Sequence, residues 1–294
     1  MRPSKPVARL SAAERLNFLL TNRIPRRSLT LFMGRFSKLR NPVLRWLSMT
    51  LWKLFADDLR LFEAKKARFD SLHDCFIREL IPEARPIEPD PAVLVSPCDA
   101  VVGECGDIED LEVIQAKGFP YTIDDFLGDA ETAARYRNGR FVTLRLKSSM
   151  YHRFHAPAAG RVRALRYISG DTWNVNPPAL KVVERLYCKN ERVALELDLD
   201  DFGEPVVLVA VAAVLVASVR LHGLAHPLNL RYRGPNRIEL DRRYRRGEQI
   251  GYFEHGSTIV VLSSKRFRAV EGLASGGIIR MGRPLLQIAA DTGG

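Results

Sequence analysis

The stretch PVVLVAVAAVLVASVR, residues 205–220, decides the class of fold. Between its proline and its arginine run 14 uncharged residues, Val206 to Val219, seven of them valine. A helix that crosses a bilayer needs roughly 20 apolar residues, so this stretch does not span. Valine is branched at Cβ and suits a pleated strand better than a helix, which makes the stretch one or two buried strands.

The same texture continues outward from it. PAVLVSPCDAVVGECG (91–106), RFVTLRLK (140–147), GRVRALRYISG (160–170) and EQIGYFEHGSTIVVLSS (248–264) are short β-rich runs separated by turn residues. Such runs predict a mainly antiparallel β core. KGFPYTIDDFLGDAETAARYRNG (117–139) reads as a short helix between loops, and the Gly-rich chain from 274 onward holds one more apolar strand. There is no internal repeat, no P-loop and no GxGxxG after a strand.

Residues 1–60 differ. They hold 13 of the 45 Lys and Arg against three acids, Glu14, Asp57 and Asp58, for a net +10 of the chain's +11. The basicity therefore belongs to this segment, and its partner should be anionic. Between the charges stand Leu16, Phe18, Leu19, Leu20, Leu29, Leu31, Phe32, Phe36, Leu44, Trp46, Leu47, Leu51, Trp52, Leu54 and Phe55. Cations interleaved with large apolar side chains describe helices that lie in a bilayer interface. A helical hairpin docked on the main domain with solvated arginines is the plainer reading. Nucleic acid fits less well, because residues 61–294 carry no net basic surface and no nucleic-acid motif. Pro25 and Pro42 divide the segment into short helices. The expected fold is thus α+β, with N-terminal amphipathic helices (1–60, a membrane-association segment) followed by a mainly antiparallel β core (61–294, the catalytic part).

Cysteines 75, 98, 105 and 188 contain no C-x-x-C pair. They fit neither a disulfide framework nor a zinc module, and they suggest a reducing compartment with each thiol a small buried hydrophobe. The N-terminus has basic residues but no apolar run before a small-residue cleavage site, so it does not read as a secretory signal, and a cytoplasmic protein is expected.

Three segments carry chemistry. YHRFHAP (151–157) holds His152 and His155, which in an extended chain point to opposite faces and so suit two tasks better than one shared metal. FEHGSTIVVL (253–262) contains the Gly256-Ser257 dipeptide, and SPCDA (96–100) places Asp99 after a proline turn. Taken singly, a core histidine and a hairpin turn are the better readings of the first two, and an Asx turn explains Asp99 equally well.

In this order, however, SPCDA, YHRFHAP and HGST resemble the phosphatidylserine decarboxylase family. Its pattern looks like SPxDG, then YHRFH, then an LGST-type site at which the proenzyme cuts itself between Gly and Ser. RELIPEARPI (78–87), AKGFPYTIDDFLG (116–128), NVNPPAL (174–180), KNERVAL (189–195) and RRGEQIGYF (245–253) extend the likeness over about residues 75–285. The resemblance implies that Ser257 is the self-cleaving residue, His155 the base that activates it, Asp99 the carboxylate that orients His155, and His152 a participant in the decarboxylation. Two departures stand out: His255 where the family usually has an apolar residue, and Ala100 where it usually has glycine.

The chemistry of those residue types agrees. A serine hydroxyl needs an adjacent base, and a histidine held in one tautomer by a carboxylate is the common solution. Attack of Ser257 Oγ on the Gly256 carbonyl turns the peptide into an ester. Loss of the Ser257 α-proton then expels the carboxylate, and the resulting dehydroalanine hydrolyses to a pyruvoyl group and ammonia. That ketone, joined to the substrate amine as a Schiff base, accepts the electrons that decarboxylation leaves on Cα. The cut yields a β chain of residues 1–256 and an α chain of residues 257–294. No metal or external cofactor is expected. After CO₂ leaves, His152 is the candidate proton donor to Cα. The implied reaction is phosphatidylserine to phosphatidylethanolamine, by a peripheral protein on the cytoplasmic leaflet that meets an anionic membrane surface, with a homo-oligomer left open. Three alternatives stand: a serine hydrolase using Asp99, His155 and Ser257, though without a G-x-S-x-G elbow; a pyruvoyl enzyme for another amino-headgroup lipid or an amino acid; and a lipid-surface protein without self-cleavage.

Overall fold

The computed structural model describes residues 10–57, 59–114, 119–215, 218–254 and 258–289. Helices come first: α1 (Ala12–Asn22), α2 (Arg26–Phe36) and α3 (Pro42–Phe55). Their boundaries follow from capping. Ser11 and Glu14 form a reciprocal capping box on α1, and Pro25 occupies the N-cap of α2. The Asn41 side chain caps α3 by accepting from the N–H groups of Val43 and Leu44, while Pro42 takes the first helical position, where a missing N–H is harmless.

Strands dominate thereafter. Eight form one antiparallel sheet in the order Arg237–Tyr244, Gly160–Ile168, Arg192–Leu199, Pro205–Val211, Thr258–Ser263, Arg140–Arg145, Ala100–Asp107 and Ile278–Ile279. Four form a second antiparallel sheet in the order Leu228–Asn229, Ser218–Leu221, Gln249–Phe253 and Arg153–His155. The valine-rich stretch supplies one strand to each, Pro205–Val211 and Ser218–Leu221. The region 117–139 contains two short helices, Ile123–Leu127 and Ala130–Ala134, and the C-terminal apolar strand is Pro284–Ile288.

Burial on both faces explains why the valine run lacks alternation. Val206, Leu208 and Ala210 join Ile259 and Val261 in a core shared with Phe154, Phe253, Val219 and Leu221 of the smaller sheet. Val207, Val209 and Val211, with Val260 and Leu262, face the opposite way onto a second core containing Tyr121, Phe126 and Tyr187. Thr258–Ser263 lies in the interior of the large sheet, paired along its whole length with Pro205–Val211 on one side and Arg140–Arg145 on the other.

The N-terminal helices dock on this core by polar links. Leu215 N–H donates to Thr30 Oγ1 (2.9 Å), Asn174 N–H donates to Asn22 Oδ1 (2.9 Å), and Lys181 Nζ reaches Glu14 (2.5 Å). Arg26 pairs with Asp171 (2.5 Å) while its guanidinium lies 3.8 Å from the centre of the Trp173 ring. The same helices leave an apolar stripe uncovered: Val43, Trp46, Leu47, Leu51, Leu54 and Phe55 recur at helical spacing along α3 and are all more than half exposed. The helical segment is therefore docked on the core and still leaves an apolar face of α3 exposed. Among the described residues, no helix is long and apolar enough to cross a membrane.

Leu208 is 1% exposed in the shared core. Leu208→Ala is expected to cost about 2–5 kcal/mol through lost transfer energy and an unfilled cavity, read as a lower urea midpoint; a loss under roughly 1 kcal/mol would contradict this core.

Candidate active site

His155 ends the edge strand Arg153–His155, which pairs with Gln249–Phe253, and its own N–H donates to Pro97 O (2.8 Å). That bond lays the SPCDA turn beside YHRFH. The His155 ring is clamped at both nitrogens: Nδ1 lies 2.9 Å from Gly247 O, and Nε2 lies 3.0 Å from the Tyr151 hydroxyl. A carbonyl only accepts, so Nδ1 carries the proton, and the bare Nε2 accepts from Tyr151. Gly247 is required for this clamp. Its φ is +73°, and a Cβ there would meet Ile87 at 2.8 Å. Burial pushes the His155 pKa down to about 4, against a smaller opposing effect of the Gly247 carbonyl, so the imidazole is neutral at physiological pH.

Asp99 is fully buried and accepts four hydrogen bonds. Arg85 grips it two-pronged, Nε to Oδ1 at 2.8 Å and Nη2 to Oδ2 at 2.5 Å; Arg280 Nη1 reaches Oδ2 at 2.9 Å and Met281 N–H reaches Oδ1 at 2.9 Å. Arg85 Nη2 also donates to Glu63 Oε2 (2.9 Å), and Arg60 Nε donates to Glu63 Oε1 (2.7 Å). A chain of alternating charges thus runs Arg60, Glu63, Arg85, Asp99, Arg280 through the interior. Bidentate pairing of this kind is what keeps buried charges tolerable. Among the described residues, no hydrogen bond joins Asp99 to His155; Asp99 is near enough for its charge to favour the protonated ring, but Gly247 O holds the tautomer.

His152 is fully buried, and its ring lies against Phe76, tilted by 33°, with centroids 3.9 Å apart. Its carbonyl accepts from Phe253 N–H (3.0 Å), at the end of the strand that leads to the Gly-Ser dipeptide. His152 and His155 therefore face different neighbours. Gly256 and Ser257, with His255, lie outside the described residues. Their flanks are fixed: Phe253 belongs to the smaller sheet, Thr258 to the centre of the larger, and both are fully buried. Among the described residues, no group of three His, Cys, Asp or Glu is placed to hold a metal ion.

The model of the phosphatidylserine decarboxylase family matches residues 72–287. The chain belongs to that family. It is 36% identical over 285 residues to the phosphatidylserine decarboxylase proenzyme of Methylibium petroleiphilum, covering 93% of this chain and 98% of the relative. The proenzymes of Brevibacillus brevis (32% over 270 residues, 90% and 95% covered) and Chromobacterium violaceum (34% over 261 residues, 85% and 90% covered) are similar over comparable lengths. As a phosphatidylserine decarboxylase, the chain accommodates its Ala100 departure without cost to Asp99. Ala100 is fully buried at the start of its strand, and Asp99 keeps its full set of donors.

Arg85, Arg280, Tyr151 and Gly247 escaped the sequence reading. Three of the four stand in quoted motifs, RELIPEARPI, YHRFHAP and RRGEQIGYF, and only the fold brings them to the acid and the base.

Removing the Asp99 charge takes away the two-pronged partner of Arg85, leaving it only Glu63, and strips Arg280 of the same carboxylate. Asp99→Asn, compared in an uncut Ser257→Ala background, is expected to lose about 3–5 kcal/mol of stability in urea; an unchanged midpoint would contradict the ion-pair chain.

Proposed function

We propose that this chain cuts itself at Gly256-Ser257 and thereby becomes a pyruvoyl-dependent decarboxylase of phosphatidylserine. The observation that carries the reading is the neutral, tautomer-locked His155. A base whose bare Nε2 is ready at neutral pH is what a serine hydroxyl requires. In the proposal, Nε2 takes the proton of Ser257 Oγ as the oxygen adds to the Gly256 carbonyl. The Tyr151 hydroxyl, which now occupies that nitrogen, yields it or passes the proton through. Asp99 acts through space, its negative charge favouring the imidazolium as it forms.

The surroundings suit a ketone at position 257. Its neighbour Thr258 is fully buried and its strand is hydrogen-bonded on both sides, and Phe253 on the other flank is fully buried as well. Once formed, that ketone is the electron sink for decarboxylation. His152 is assigned to hold the proton that replaces CO₂ on the substrate carbon. Its burial against Phe76 shields it from bulk water.

A lipid substrate accounts for a second feature. A cavity of about 590 Å³ opens between the N-terminal helices and the core, lined by Met33, Phe36, Leu51, Trp52, Phe55 and Phe76 among others. Phe76 joins this cavity to His152. An acyl chain suits the cavity, while the exposed stripe of α3 suits the acyl region of a bilayer and the cations of residues 1–60 suit its acidic headgroups. Four free cysteines agree with the cytoplasmic leaflet.

Ser257→Ala is expected to remain one chain and to release no CO₂ from phosphatidylserine vesicles; a cut or active Ser257→Ala protein would sink the assignment. The competent base is neutral His155, and protonation removes it. Self-cleavage should therefore be flat from about pH 8 to about pH 5, falling only toward the ring's value of about 4. A half-maximal rate near 6.5, the ordinary histidine value, would contradict this. Trp46→Glu combined with Leu47→Glu is expected to release the processed protein from anionic vesicles in flotation without slowing the cut. Unchanged flotation would count against the α3 stripe.

A further inference from the structure

We propose that Lys38 is a positioning residue for self-cleavage: its ion pair with Glu254 ties the N-terminal helical segment to the backbone three residues ahead of Ser257. This rests on the reading of Ser257 as the self-cleaving residue.

Lys38 follows the last turn of α2, and its own backbone is fixed. Ser37 before it is 1% exposed, and the Ser37 carbonyl accepts from His73 N–H (2.9 Å) at the start of the short helix Leu72–Phe76. From this anchored turn Lys38 Nζ reaches Glu254 Oε1 at 2.8 Å, and His73 Nε2 lies 3.9 Å from the same oxygen. The Glu254 side chain is only 11% exposed. Burial pushes the Glu254 pKa up, but the Lys38 ammonium, with smaller help from His73 and Ser218, more than offsets it and holds the carboxyl below its ordinary value.

Position makes the pair matter. Phe253 is held by the carbonyl of His152, Glu254 N–H donates to Ser218 O (3.1 Å), and the next strand begins at Thr258. Glu254 is thus the last described residue before the dipeptide to be cut, and its side-chain tether comes from the segment that carries the exposed apolar stripe. Without the cation, Glu254 would turn toward water and draw the Gly256 carbonyl with it. Lys38 makes and breaks no bond. Ser257 Oγ adds to the Gly256 carbon, the Gly256–Ser257 C–N bond breaks, and the hydroxyl proton ends on the freed amine. Lys38 sets where that carbonyl stands when the hydroxyl arrives. The segment that meets the lipid is by this link also the segment that readies the enzyme.

The test is the time course of conversion of freshly synthesised full-length chain into its two pieces on a denaturing gel. Lys38→Met is expected to slow conversion by about tenfold to a hundredfold, the loss that a displacement on the order of 1 Å causes. Lys38→Arg should convert at close to the wild-type rate. The charge swap, Lys38→Glu with Glu254→Lys, should convert faster than either of its single changes. Raising the salt should slow the wild type and leave Lys38→Met unchanged. Equal rates for Lys38→Met and wild type overturn the proposal. A slow Lys38→Met that neither Lys38→Arg nor the swap relieves also overturns it, because that pattern marks damage to the fold. A wild-type chain that never divides defeats the reading of Ser257 itself, and that outcome is visible in its own lane.

Discussion

The structure depends on one strand, Thr258–Ser263, being hydrogen-bonded on both sides in the interior of an eight-stranded sheet. A backbone break one residue ahead of an edge strand would leave a short piece free to leave. Here the 38 residues from Ser257 onward begin with a buried strand between two partners, and they also contribute Ile278–Ile279 and Pro284–Ile288 to sheets with the first part of the chain. A protein held in this way survives a cut at position 256 as one folded body. The two cores on the faces of that strand make its position costly to change.

Around that strand, the acid and the base are held by different devices. Asp99 is locked among arginines, an arrangement that stores charge in the interior without offering a spare lone pair to His155. His155 is locked in one tautomer by a carbonyl and a phenol, while burial keeps it neutral, with no carboxylate hydrogen-bonded to it among the described residues. The expected acid–base–nucleophile relay is therefore looser than a directly bonded triad. In the proposed self-cleavage the acid would contribute field and the backbone orientation.

Much of this was legible in the sequence, for physical reasons. The valine run declared buried strands because Cβ branching and the lack of alternation leave few other structures. Pro25 and Pro42 declared helix boundaries because proline lacks the N–H that a helix interior uses. YHRFHAP and HGST declared the family through wording specific to it. The clamp on His155 was not legible, since Gly247 lies 92 residues away and bonds through its backbone, which carries no side-chain signature. The pairing of Asp99 with Arg280, 181 residues apart, depends on sheet register in the same way. Lys38 was hidden among the 13 cations of its segment, and its sequence neighbours do not reveal its placement opposite Glu254.

If the active protein is a cut protein, mass spectrometry of purified, catalytically active material will show it. The account predicts a 256-residue piece and a 38-residue piece, the smaller lacking an α-amino group and carrying a ketone at position 257. Full decarboxylase activity in an unbroken 294-residue chain with its serine intact would contradict it.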